Sequence, residues 1–139
     1  MERSLLVATV LAGSVVLLFA IYLLWFGALA VAAPSRASRY LQGFASSMRL
    51  HVLELLVRLV VGVAFVGYAS HMQFGGAFHA FGVVLVFTTL GLALLPWRWH
   101  QRIAQTSVPA AVRYLPMIGI VSIAAGTGVF WAVASMLVG

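Results

Sequence analysis

Four stretches of this chain are long and apolar enough to cross a lipid bilayer as helices. About 20 residues, each rising about 1.5 Å, span a hydrocarbon core that is roughly 30 Å thick. With 64% hydrophobic and 7% charged residues, the chain lacks the polar groups of a water-soluble surface, since about 25% of residues are charged in globular proteins. The sequence therefore predicts an all-α, polytopic membrane protein, a single domain over residues 1–139. Its four transmembrane helices are expected within residues 5–33 and at about 50–70, 77–96 and 115–138.

The first apolar stretch also ends like a signal peptide, because "AVAA" precedes Pro34. The apolar core of a signal peptide has roughly 7–15 residues, however, and the core here is about twice as long. A proline directly after the cleavage site is also unfavourable. We therefore expect this segment to remain as a membrane helix.

Positive charge is concentrated in the two longer connections, residues 34–49 and 97–114. The chain has eight arginines, no lysine and two glutamates, which give a net charge of +6. Short arginine-rich loops stay in the cytoplasm, so we expect the 70–76 turn and both termini on the other side. Beside apolar spans, this charge indicates anionic lipid headgroups as partners and not nucleic acid. The arginines expected to contact headgroups are Arg36, Arg39, Arg49, Arg98, Arg102 and Arg113.

Residues 97–108 have the pattern of an interfacial amphipathic helix. Polar side chains recur on one face at i, i+4 and i+7, namely Arg98, Arg102 and Gln105. Trp97 and Trp99 are expected at the level of the headgroups, where tryptophan is enriched. Because proline interrupts helices, we expect Pro109 and Pro116 to end this helix before the fourth span.

The two arginine-rich connections also resemble each other. "PSRASRYLQGF" and "PWRWHQRIAQTS" align with a one-residue gap, at an offset of about 62 to 64 residues. One interpretation is a duplication of helix, loop and helix, with repeats at about 5–70 and 77–138 related by an axis along the membrane normal. The alternative is that two cytoplasmic loops collected arginine and proline independently. The residues alone leave both open.

The second span carries three polar side chains, His51, Glu54 and Arg58, at i, i+3 and i+7 of one helical face. A span beginning after Arg58 would be only about 16 Å long, so it must begin near Leu50. Glu54 and Arg58 then lie about 6 Å and 12 Å inside the membrane. Because the glutamate precedes the arginine by four residues, we expect an ion pair.

This intramembrane polar site has two interpretations. An unpaired arginine at mid-depth costs about 2.5–3.5 kcal/mol, so the side chains must face protein and not lipid. In the favoured interpretation, the pair locks the helix against neighbouring helices or a second subunit. In the alternative, the three side chains line a path for an ion, a proton or an anionic substrate.

Small residues at close spacing indicate sites of helix packing. The fourth span has Gly119, Ser122 and Gly126, and the second span has Gly62 and Gly67. The pattern suits packing within the bundle or between two copies, and the sequence does not distinguish them.

The sequence shows no set of residues that would support catalysis or hold a cofactor. Cysteine is absent, which excludes thiolate ligands and cysteine nucleophiles. His71 and His79 lie near the outer turn without a carboxylate, and His51 and His100 belong to the opposite end. We therefore expect no catalytic residues, no cofactor and no metal site.

The stretches "GFASSMRLHVLE" and "LALLPWRWHQRIAQ" resemble those of small four-span bacterial inner-membrane proteins. The resemblance covers about residues 34 to 120, implies a bacterial inner membrane, and points to no particular chemistry. We expect a non-enzymatic accessory or interaction subunit, forming a homo-oligomer or binding other membrane proteins. A small transporter or channel using His51, Glu54 and Arg58 is the alternative.

Overall fold

The computed structural model describes residues 1–45 and 47–139 of the chain. Within these ranges it contains six α-helices, no strands, and one 3₁₀ turn at Ala69–His71. Four of the helices are long and apolar enough to cross a membrane. The predicted all-α fold with four candidate transmembrane helices is therefore confirmed. The helices are α1 (Glu2–Ala32), α2 (Pro34–Ala45), α3 (Met48–Tyr68), α4 (Gly75–Leu94), α5 (Trp97–Arg113) and α6 (Leu115–Val138).

The four long helices pack in the succession α6, α1, α3, α4. The most extensive contacts are those of α1 with α6 and of α3 with α4, and α1 also packs against α3. Val16 of α1, Phe65 of α3 and Val133 of α6 are almost fully buried in the main core. The ring of Phe19 meets that of Phe65 edge-on, with 5.7 Å between centroids. Lipid is as apolar as these side chains, so the helices are held by close packing and not by a difference in hydrophobicity.

Glycine lets these helix pairs approach each other to backbone contact. A Cβ on Gly62 of α3 would lie 3.2 Å from the carbonyl oxygen of Gly82 in α4, and one on Gly82 would lie 2.8 Å from that of Gly62. Gly119 of α6 and Gly27 of α1 are related in the same way, at 2.9 Å and 2.7 Å. Any larger residue would therefore push the paired helices apart.

The other predicted packing residues divide into two groups. A Cβ on Gly126 would lie 2.9 Å from the carbonyl oxygen of Ala20, and the Ser122 hydroxyl donates a hydrogen bond of 2.8 Å to the carbonyl oxygen of Leu23. Gly67 differs, because no atom of another described helix lies within 4 Å of its Cβ position. It does not pack within the chain, so only packing between copies remains for it as a prediction.

The turn from α3 to α4 is short and contains no arginine or acidic residue. The backbone N–H of Gln73 donates a hydrogen bond of 3.0 Å to the carbonyl oxygen of Ala132, which fastens the turn to α6. Phe74 has a positive φ of 58°. The next residue, Gly75, has to be glycine because a Cβ there would collide with the carbonyl oxygen of Ala69.

The shorter helices α2 and α5 contact each other at one end of the bundle, which we call the arginine-rich end. Ala37 of α2 is fully buried and packs with Phe26, Ala30 and Leu115 in a second apolar cluster. This cluster joins α1, α2 and α6 without α3. The cluster therefore does not hold the start of α3 against α1, and the two helices can separate at this end.

Helix α5 lies on the outside of the fold, and none of its residues is buried. The prediction that Pro109 ends this helix is wrong, because α5 continues through it to Arg113. The break falls at Tyr114, and Pro116 lies in the first turn of α6. Proline fits there because the first N–H groups of a helix have no partner within it.

Candidate functional site

A groove opens between α1 and α3 on the side of the arginine-rich end. Farther from that end the two helices touch, and a Cβ on Gly13 would lie 2.8 Å from the Tyr68 ring. Toward the arginine-rich end they separate and leave a groove of about 760 Å³. Its walls are mainly apolar, and Phe81 and Leu85 of α4 contribute to them.

Four polar side chains line this groove. The Arg58 guanidinium Nη1 donates a hydrogen bond of 3.2 Å to Glu54 Oε1, so the predicted ion pair is present. Across the groove, the hydroxyls of Tyr22 and Tyr40 lie 3.3 Å apart. The side chains of Arg58 and Glu54 are 34% and 36% exposed. The chain itself therefore covers the ion pair only partly.

The ion pair lies well inside the candidate membrane span Met48–His71. Glu54 follows the first residue of α3, Met48, by six residues, and Arg58 follows it by ten. At a rise of about 1.5 Å per residue, these side chains start about 9 Å and 15 Å along the helix. In a membrane whose hydrocarbon core, about 30 Å thick, begins at the start of α3, Arg58 would lie close to the middle of that core.

Next to the ion pair, His51 of α3 meets His100 of α5. The two imidazole rings are 3.6 Å apart between centroids, and the Trp97 ring lies 5.4 Å from the first and 5.7 Å from the second. His51 is only 6% exposed. The Nδ1 atoms of both histidines are buried and have no hydrogen-bond partner among the described residues. A buried nitrogen that has no hydrogen-bond partner destabilises the folded protein by about 1–3 kcal/mol.

One ligand atom each from His51, Glu54 and His100 lies within 4.8 Å of the others. We call these three residues the His–Glu cluster. Among the described residues, the cluster includes neither histidine of the other end of the bundle, where the His71 ring stacks on Tyr68 and its Nδ1 lies 3.2 Å from the Ser70 hydroxyl. The expectation of no metal site stays a prediction, and this cluster is the observation that speaks against it.

His100 and the two tyrosines are the site residues that sequence reasoning missed. The signal for His100 was its place near the start of α5, at the same end as His51. Tyr22 and Tyr40 lie 18 residues apart, on helices whose docking no local spacing reveals. The two hydroxyls meet only because α2 packs against α1 in the folded chain.

The six arginines predicted to contact lipid headgroups are all exposed at the arginine-rich end. The guanidinium of Arg102 lies 5.7 Å from the ring centroid of Trp99, which is itself exposed. Trp97 instead turns partly inward against the histidines. Contact of these side chains with lipid stays a prediction.

Comparison of the chain with models of protein families, with curated proteins and with solved structures found no match. The resemblance to small bacterial inner-membrane proteins therefore stays a prediction.

Proposed function

We propose that the protein is a non-enzymatic accessory subunit of a membrane assembly, which binds a partner protein through the groove between α1 and α3. The single observation that carries this proposal is the Glu54–Arg58 ion pair, which is deep in a candidate span and about one third exposed. Charged side chains at such depth face protein or water and not lipid tails. A membrane segment of the partner would cover the pair.

The partner is a second copy of this chain or another membrane protein. The apolar walls of the groove suit a membrane helix, and its polar end offers hydrogen bonds to a polar side chain of that helix. Gly67, which is exposed on the same helix as the ion pair, adds a surface that permits close approach.

We further propose that the assembly lies in a bacterial inner membrane with both termini outside. Support comes from the six exposed arginines at one end of the bundle and from the positive-inside rule. Helix α5 then lies along the cytoplasmic headgroups, which agrees with its lack of buried residues.

The test is photo-crosslinking in native membranes at two matched positions. Val57 lines the groove and is 52% exposed, whereas Phe87 on α4 is 71% exposed and lies outside it. A photo-reactive amino acid at position 57 should give one discrete protein adduct that position 87 does not give. An adduct of twice 14.9 kDa identifies a second copy, and another mass identifies a different subunit. The same adducts at both positions, or lipid adducts alone at position 57, would overturn the proposal.

A small transporter or channel is the second candidate, and the shape of the groove favours it. A volume of about 760 Å³ falls within the roughly 300–1,000 Å³ of small-molecule sites, and the ion pair would bind a proton, an ion or the polar part of an anionic substrate. In this case Glu54→Gln should leave the fold intact and abolish pH-dependent flux in proteoliposomes. If the protein is an assembly subunit, the same substitution should weaken folding or assembly instead.

A further inference from the structure

The His–Glu cluster brings together three metal-ligating side chains from two helices that are far apart in the chain. His51 and Glu54 lie three residues apart on α3, and His100 comes from α5. We infer that the cluster binds a divalent transition-metal ion, for which Zn²⁺ is the best-suited occupant. The inference does not depend on what fills the groove between α1 and α3.

The spacing of the ligand atoms is close to that of a metal site. With bonds of about 2.0–2.1 Å and tetrahedral angles, the ligand atoms of a zinc site lie about 3.4 Å from one another. Those of the cluster lie within 4.8 Å, so the side chains would rotate about their own bonds to bind the ion. Three protein ligands leave a fourth position for water, as in open zinc sites.

A second observation points to a ligand at this place. His51 is 94% buried, since only 6% of its surface is exposed, and its Nδ1 atom has no partner within the described part of the chain. The same holds for Nδ1 of His100. Coordination through Nδ1 would satisfy a buried nitrogen that the chain leaves without a hydrogen bond.

The neighbours of the cluster resemble the outer shell of a metal site. Ligating carboxylates are usually hydrogen-bonded as well, and here Arg58 holds Oε1 of Glu54 at 3.2 Å. The positive charge of Arg58 opposes that of the cation and lowers its affinity. Trp97 lies against both imidazole rings and shields them.

The donor set selects the class of ion. Two imidazoles and one carboxylate suit zinc and other first-row divalent ions, whereas Ca²⁺ and Mg²⁺ require mostly oxygen ligands and Cu(I) prefers sulfur. Because the ligands come from α3 and α5, the ion would also fasten a surface helix to a candidate transmembrane helix.

The test is a titration of the full-length protein in lipid nanodiscs with Zn²⁺, followed by calorimetry, after purification on a tag without histidine. The chain supplies its own matched controls, because two of its four histidines and one of its two acids lie outside the cluster. One Zn²⁺ should bind per chain. His51→Ala, His100→Ala and Glu54→Gln should each weaken binding at least about tenfold, whereas His71→Ala, His79→Ala and Glu2→Gln should leave it unchanged.

X-ray absorption of the zinc-loaded wild-type protein provides a measurement that needs no variant. Two imidazole ligands with one or more oxygen ligands are expected. The inference is overturned if the folded wild-type protein shows no saturable Zn²⁺ binding. It is also overturned if the control substitutions weaken binding as much as those in the cluster, or if the spectrum shows no imidazole pair.

Discussion

Arg58 is the side chain whose position most constrains how the protein works. It starts about 15 Å along α3 and keeps a hydrogen bond to Glu54 at 3.2 Å, although about a third of its surface is exposed. The sequence predicted this pair because its i, i+4 spacing is a property of a single helix. It did not predict the meeting of His51 with His100, since that contact exists only after α5 docks at the arginine-rich end.

Removing one member of the ion pair should destabilise the protein more than removing both. Glu54→Gln and Arg58→Gln each leave the other charge without its partner, and we expect a loss of about 1–2 kcal/mol because the pair is only partly buried. The double variant should recover part of this loss. Unfolding in mixed micelles of increasing denaturing detergent measures these free energies.

Glu2→Gln is the control for this cycle, since Glu2 is the other acidic residue and lies at the exposed start of α1. It should leave the free energy of unfolding unchanged. Losses in the double variant that equal the sum of the single losses would show that the two side chains do not act as a pair.

The hydrogen bond between helices at Ser122 should contribute measurably to stability. Its hydroxyl donates to the backbone of α1 at 2.8 Å, whereas the exposed Thr88 donates to a carbonyl of its own helix at the same distance. Ser122→Ala should cost about 0.6–1 kcal/mol, and Thr88→Ala should cost much less. Equal losses in the same detergent unfolding assay would contradict the packing of α6 on α1.

At the scale of whole helices, hydropathy predicted the four spans because each must fill the same thickness of hydrocarbon. The close spacing of small residues predicted Gly62, Gly119 and Gly126 as packing residues. It did not reveal the residues that they meet, which are Gly82, Gly27 and Ala20 respectively. Partner choice depends on how helices that are equally apolar on every side are arranged, and no periodicity records that. The continuation of α5 through Pro109 was likewise not visible in the residue pattern.

Two glycines on α3 provide a direct test of the packing. Gly62→Leu places a side chain against the backbone of α4 and should cost about 1–3 kcal/mol through overpacking. A Cβ at position 67 meets no atom of another helix in the described part of the chain within 4 Å, so Gly67→Leu should change the free energy of unfolding by less than about 0.5 kcal/mol. If copies of the chain associate through Gly67, sedimentation should show loss of the dimer in Gly67→Leu while its unfolding is unaffected.

At the scale of the molecule, the contacts between helices support the duplication that the two loops suggest. Gly62 meets Gly82 where α3 crosses α4, and Gly126 meets Ala20 where α6 crosses α1. The offsets are 126 − 62 = 64 and 82 − 20 = 62, which match those of the loop alignment. Each half has a groove between its two long helices, of about 760 Å³ between α1 and α3 and of about 630 Å³ between α4 and α6. The halves differ because α1 also packs extensively against α3, whereas α4 and α6 do not pack extensively against each other. The duplication remains a hypothesis that this agreement favours.

The proposed orientation predicts which side of the membrane each end of the bundle faces. Because the chain has no cysteine, single cysteines can be introduced without removing others. A membrane-impermeant maleimide applied to spheroplasts, cells stripped of their outer membrane, should label Gln73→Cys in the outer turn and spare Thr106→Cys on α5. Disruption of the cells should make both reactive. Labelling of Thr106→Cys in intact spheroplasts would show that the orientation is the opposite of the one proposed.

The depth of the ion pair tests the central claim most directly, because both candidate functions require charged side chains below the headgroups. A nitroxide on Val57→Cys, beside Arg58 on α3, reports its depth in lipid vesicles through collisions with oxygen and with a water-soluble nickel complex. We predict that oxygen collisions dominate, as they do in hydrocarbon. Val63, which is exposed on α3 outside the groove, separates a water-filled groove from a helix in water. Nickel collisions as frequent as those of a nitroxide on Thr106→Cys at both Val57→Cys and Val63→Cys would place this part of α3 in water, and the account of the groove would be wrong.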